Sequence, residues 1–316
     1  MNKFQLRETY IRLSKLESIQ DCLELLDIFL EHLWNVIEHH HEDEVNSQSD
    51  SDAKTLNHMM FTKLTHMRNI IEGVGYTSHN GNFLNKIIDP TIIASMTRNV
   101  YETVAVFNLI YRSAKNEDEK DLLYGLWESA GLKFRQRFDF ETLSNENKRK
   151  IQDEKKQIEE IEREIKNNLL YLSLDDANQA KVDKKLKDKD FKIRFDGDNV
   201  IYLNWRDMYK VMELNKDLFE EIYSYFSLYA HPSQVSVFQF RDMFGKDEDF
   251  RQLTLLNLKY FFSFISVFVA DYINLFPQVK QTFEQLDSYK QNAINAYNKM
   301  LRGDDYSIND TWRALE

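Results

Sequence analysis

Leu16, Ile19, Leu23, Leu26, Leu30, Leu33 and Ile37 recur at alternating spacings of three and four residues, which places all seven on one face of a helix. The stripe predicts a long N-terminal helix within residues 1–44. It gives out in HHHEDEVNSQSDSDAK (39–54), where histidine, acid and serine offer nothing to bury and a solvated linker is expected. A second helix is predicted over about 54–72, ending at Gly73 and Gly75, with a polar loop through Ser78, His79, Asn80 and Gly81. Pro90 suits a first helical position, and residues 91–114 are apolar on nearly all sides, as a central helix would be.

Further along, residues 119–136 read as a helix carrying Trp127. Over 141–190 the pattern changes: 13 acids and 12 bases occupy half of the positions, while Ile151, Ile158, Ile161, Ile165 and Leu172 keep a heptad spacing. That combination predicts a charged coiled-coil arm, whose partner is expected from 178–190 or from another subunit. FKIRFDGDNVIYL (191–203) alternates around Asp196-Gly197 and predicts a β-hairpin with a type I′ turn. Helices are expected again over 205–217, 218–233, 247–275 and 278–301. The chain therefore reads as an all-α multi-helix bundle: an N-terminal helix in 1–44, a first half of the core in 45–140, an inserted charged coiled-coil arm in 141–190, a small β-hairpin in 191–204 and a second half of the core in 205–316. Tyr260–Phe276 is at the short limit for a membrane span. It contains Asp271 and Asn274, so a buried central helix is the expectation and no membrane partner is implied.

Composition supports helices. In 316 residues there are three prolines and eight glycines, too few for the turns of an all-β or Rossmann-type chain. The formal charge of −11 repels phosphate backbones as a whole, so broad nucleic-acid binding is not expected. Residues 1–60 hold twelve acids and five bases and so contribute −7 of that charge; the rest is near balance and leaves room for a local basic site. Cys22 is the only cysteine, which excludes an internal disulfide and suits a reducing compartment. The polar start MNKFQLRETYIRL does not read as a secretory leader, and a cytoplasmic location is expected.

The candidate chemistry lies in two segments. In YSYFSLYAHPS (223–233), Ser224, Ser227 and His231 share a helical face, with His231 expected in the last turn and Pro232 ending the helix. In 91–114, Arg98 and Glu102 are the only charges before Arg112 and lie four residues apart. A charged pair inside an apolar helix costs several kcal/mol unless it is met by polar groups, so the His231 face is expected to pack there. Glu102 would then hold the imidazole and Arg98 would offer its fork to an anion. The run His39, His40 and His41 cannot turn three rings toward one ion, so neither a metal site nor a cofactor is implied. CxxC, HExxH, GxSxG, Walker and GxGxxG spacings are all missing from the sequence.

RNVYETVAVFNLIY (98–111), LWESAGLKFRQRF (126–138) and YSYFSLYAHPS (223–233) resemble, in that order, an uncharacterised family of bacterial helical domains. More loosely they resemble the HEPN superfamily of nucleotide-binding and ribonuclease domains. The resemblance rests on an Arg four before a Glu, a Trp ahead of an Arg, and a Ser four before a His-Pro. It implies a helical fold, a polar Arg98/Glu102/His231 cluster with catalytic potential, and binding positions at Ser224, Ser227, Trp127 and Arg135. The HEPN ribonuclease pattern, an Arg followed after four to six residues by a His, is not met at His231, where the corresponding positions are Ser224, Tyr225 and Phe226. The leading expectation is an intracellular interaction or sensor module, associating with a protein partner or with itself through 145–190. A metal-independent ribonuclease or toxin-type effector, and a nucleotide or anion binder without turnover, are the alternatives.

Overall fold

A computed structural model describes residues 1–138, 144–244 and 246–315. The boundary expected at 140/141 lies outside the described residues. The fold is all-α, with two small two-stranded antiparallel sheets among the described residues. The chain divides into two compact units, residues 1–107 with 209–316, and residues 108–208.

The first unit opens with α1 (Lys3–Lys15) and α2 (Ile19–His40), where one long helix was expected. Leu16 ends α1 in the left-handed conformation, with φ 49°, and Ser18 and Asp21 form a capping box that starts α2. The expected stripe crosses this break, so the face of α2 that is buried is Cys22, Leu25, Leu26, Phe29, Leu33 and Val36. The solvated linker shrinks to 41–47, because Ser47 accepts from the Asp50 N–H and begins α3 (Gln48–Ile71) inside the polar run. Between α3 and α4 (Pro90–Phe107) the loop expected at 73–81 is a hairpin, β1 (Val74–Thr77) against β2 (Phe83–Ile87).

The unit resumes, after a short α9 (Met208–Val211) at the boundary, with α10 (Lys216–Phe219), α11 (Ile222–Ala230), α12 (Gln234–Met243), α13 (Asp247–Leu275), α14 (Val279–Glu284) and α15 (Ser288–Arg302). At its centre α13 packs on α4, α15 and α2. Phe262 stacks on Phe29 at 6.1 Å, and Phe264 and Phe268 meet Tyr101 and Phe107 edge-on at 5.2 and 5.0 Å. Among the described residues Phe250–Leu275 is long and apolar enough to cross a membrane, but 72% of an 18-residue apolar stretch within it is buried inside the fold, as in a core helix. Its Asp271 is met by Arg302, with 2.9 and 2.8 Å between Nη1 and Oδ1 and between Nη2 and Oδ2.

The second unit holds α5 (Glu117–Arg135), α6 (Asn145–Asn167), α7 (Leu169–Ser173), α8 (Asp176–Asp188) and the hairpin β3 (Ile193–Asp196) and β4 (Asn199–Tyr202). Leu122, Leu126, Ile161, Ile165, Val182, Leu186, Phe195 and Val200 belong to one core. The isoleucines of α6 are thus buried within their own unit, where α6 packs on α5 and α7, and Ile161 and Ile165 share a core with Val182 and Leu186 of the 178–190 segment. Asp196 pairs with Asn199, leaving Gly197-Asp198 as the two-residue loop. Only Gly197 has positive φ, 58°, whereas a type I′ turn needs it at both central residues.

Candidate functional site

The site stands on α4 and α11 of the first unit. Asp89 starts α4 by accepting from the Thr91 N–H at 2.8 Å, and the buried positions Ile93, Ala94, Thr97, Val100, Tyr101 and Val104 fix which side faces the core. Arg98 and Glu102 are left on the rim of that face. On α11, Ile222, Phe226 and Tyr229 are buried, which turns Tyr223, Ser224 and Ser227 toward the α4 side. The helix ends at Ala230, and His231, expected in the last turn, has φ −115° and ψ 146°. Pro232 explains the difference: its ring disfavours helical backbone at the preceding residue. Ser233 then caps α12 by accepting from the Ser236 N–H at 3.1 Å, and its hydroxyl donates to the Leu228 carbonyl at 2.8 Å, which pins the corner beside the imidazole.

Arg98 is the hub of the cluster. Its Nε donates to Glu102 at 3.0 Å, its Nη1 lies 3.2 Å from His231 Nε2, and its Nη2 donates to the Tyr223 hydroxyl. The guanidinium carbon also lies 4.6 Å from the centre of the Tyr223 ring, a cation–π contact. A guanidinium can only donate, so His231 Nε2 must accept, and the proton of the neutral ring is on Nδ1. Side-chain exposure is 19% for Arg98 and 29% for Glu102, and His231 is exposed. Burial raises the Tyr223 phenol above its ordinary pKa, with the Glu102 charge adding to the rise, so at neutral pH the hydroxyl keeps its proton.

The expected meeting of Arg98, Glu102 and His231 therefore occurs, with a different division of labour. Glu102 takes Arg98 Nε, one helical turn away, and it is Arg98 that touches the imidazole. Ser227 is on the expected face, but its hydroxyl donates to the Tyr223 carbonyl at 2.7 Å. Ser224 Oγ is buried and has no hydrogen-bond partner. Trp127 and Arg135 belong to the second unit, where Trp127 packs against Tyr124 at 5.9 Å and Arg135 is paired with Glu154.

One member of the cluster, Tyr223, and one neighbour outside it, Lys63, escaped the sequence reading. Tyr223 is four residues before Ser227 and eight before His231, so one more step back along the same face would have found it. Lys63 of α3 donates to Asn99, next to Arg98 on α4, and its environment includes the Glu102 charge; no local pattern distinguishes it. The three consecutive histidines go separate ways: His39 and His41 bond the carbonyls of Asn35 and Ile37, and His40 bonds Asp43 and Thr282. Among the described residues no group of three His, Cys, Asp or Glu side chains could hold a metal ion. No family model matches the chain, and neither a curated protein nor a solved structure matches it significantly.

Proposed function

We propose that the protein is a soluble cytoplasmic sensor or interaction module whose Arg98–Glu102–Tyr223–His231 cluster binds a phosphate-type anion. The observation that carries this reading is the half-buried Arg98 fork, already oriented by a carboxylate and a phenol, with one nitrogen facing a solvent-exposed imidazole. An arriving phosphate would take the N–H now given to His231, and the freed ring would complete its hydrogen bonds. The corner carrying His231 leads directly into α12, on which Val235, Val237 and Phe238 are exposed, so occupancy at Arg98 has a physical route to a changed surface. The lone Cys22, buried and with its thiol pushed up to about 12 by burial, is compatible with a reducing compartment. Self-association through 145–190 has less support, because the isoleucine stripe is covered and leaves the charged outer face of α6. The test is calorimetric titration and thermal shift with inorganic phosphate and nucleotides. Saturation at one hundred times the dissociation constant adds about 2.7 kcal/mol of stability, and Arg98→Met removes the effect.

A second reading, a metal-independent ribonuclease of HEPN-like type, is favoured by one feature: an imidazole nitrogen 3.2 Å from a guanidinium nitrogen, the pairing a base and a phosphoryl-stabilising cation would need. Cleavage of single-stranded RNA in the presence of EDTA, lost in His231→Ala, would support it; intact RNA at high enzyme concentration would reject it.

A further inference from the structure

A cavity of about 270 Å³ opens along α4, the helix that carries Arg98 and Glu102, lined by Lys63, Thr91, Ile92, Ser95, Met96 and Asn99. Five of the six are on α4, at positions that form one face of the helix. Arg98 and Glu102 lie on the adjoining face, since successive residues are separated by about 100°, and Ser95 joins the two. From the other helix comes Lys63, whose ammonium donates to Asn99. Its ordinary affinity for the proton is lowered, first by desolvation, with Glu102 acting in the opposite sense. Glu102 thus acts on two cations, Arg98 by a direct hydrogen bond and Lys63 through space.

We infer that Lys63 and Asn99 form a second anionic subsite next to Arg98, Tyr223 and His231, so that the ligand carries two adjacent phosphate groups, as in a nucleoside diphosphate. This rests on the phosphate reading above and narrows it. A single phosphate at Arg98 leaves Lys63 without an anion, whereas the second phosphate of a diphosphate would supply one. One phosphate accepts from Arg98 Nη1 and the His231 ring it displaces, and the other from Lys63 Nζ and the Asn99 amide. Ile92, exposed at the rim, and Met96 offer an apolar surface for whatever the diphosphate is attached to. Lysine is suited to the second position as a compact charge whose direction Asn99 sets.

Inorganic phosphate and inorganic pyrophosphate, titrated calorimetrically into the full chain, test this directly. Pyrophosphate is expected to bind at least ten times more tightly than phosphate. Lys63→Met should erase that preference and leave phosphate binding as in the wild type, Lys63→Arg should restore part of it, and Arg98→Met should abolish binding of both. Unchanged thermal unfolding of the Lys63 variants establishes that they fold. If the wild type binds phosphate and pyrophosphate equally, or if Lys63→Met weakens both alike, the second subsite is overturned while the phosphate site stands. If the wild type binds neither anion, the phosphate reading itself falls, and this inference with it.

Discussion

Arg302 and Arg98 each face a carboxylate within the first unit, but the side chains of Arg302 and Asp271 are 0% and 3% exposed while those of Arg98 and Glu102 are 19% and 29% exposed. Arg302 forks onto both oxygens of Asp271, its Nε donates to the Met212 carbonyl at 2.8 Å, and the Tyr306 ring covers it at 4.9 Å. Those partners come from α13, the segment after α9 and the segment after α15, so the guanidinium ties remote parts of the chain together. Arg98 spends its nitrogens on the next turn of its own helix and on α11, and one of its partners is an exposed imidazole. Burial separates the two roles. The first pair excludes solvent and ligand, whereas the second can exchange a protein acceptor for a dissolved one.

The largest expected effect follows from the buried pair. Asp271→Ala leaves an uncompensated guanidinium in the core, and such losses cost about 3–5 kcal/mol. Urea unfolding should show the midpoint falling accordingly, while replacing both partners with apolar residues, Asp271→Leu with Arg302→Met, should recover much of it. A double variant as unstable as the single would mean that the hydrogen bonds to Met212 and Asn298, not the charge balance, set the cost.

Next comes His32, which extends the contrast to a single ionisable group. It is fully buried on α2 against the edge of Phe283 at 5.6 Å, its Nδ1 has no partner, and desolvation holds its pKa at about 3. The unfolded chain takes up this proton near pH 6.5 and the native chain only near pH 3. Its contribution is therefore complete above pH 6.5 and is lost as pH falls through that window. Between pH 7.5 and pH 5 the loss is about 2 kcal/mol. Comparing urea midpoints of wild type and His32→Gln at both pH values isolates it; parallel pH profiles would show that the imidazole is hydrated in solution.

How much of this contrast could be read from sequence differs between its two sides. Arg98 and Glu102 stood out as charges in an apolar helix, and the Ser-x3-His-Pro spacing found the face that meets them. Asp271 stood out in the same way, but its partner is 31 residues on, at the end of α15, and nothing local marks it. The N-terminal stripe misled because heptad-like spacing ran straight across Leu16, a left-handed helix cap, while Ser18 and Asp21 already spelled a capping box. The hairpin at 74–87 was missed since nearly all its residues are exposed on both faces, which leaves no alternation to detect. Lys63 acquires meaning only when α3 packs on α4, a tertiary event without a local signature.

A smaller effect is expected at Arg98. Arg98→Met loses an ion pair between partly exposed residues on one helix, about 0.3–0.5 kcal/mol, and a cation–π contact of about 0.5–1 kcal/mol. The unfolding midpoint should therefore shift by a fraction of that produced by Asp271→Ala, even though phosphate binding is abolished. Equal destabilisation by the two variants would erase the distinction between a structural and an exchangeable pair.

His231→Ala should change stability least of all, by no more than about 0.5 kcal/mol, as surface substitutions do. The imidazole is exposed, its backbone is already extended, and Ser233 and Pro232 hold the corner without it. Its effect should appear in binding instead. Removing the acceptor frees Arg98 Nη1 from competition, yet it also deletes a donor that the bound anion would use. If the imidazole only occupies Arg98 in the empty state, phosphate affinity rises in the variant; if the ring turns to the anion, affinity falls. The proposed binding mode, in which the freed ring completes the hydrogen bonds of the anion, requires the second result, because only then does His231 hold what Arg98 holds.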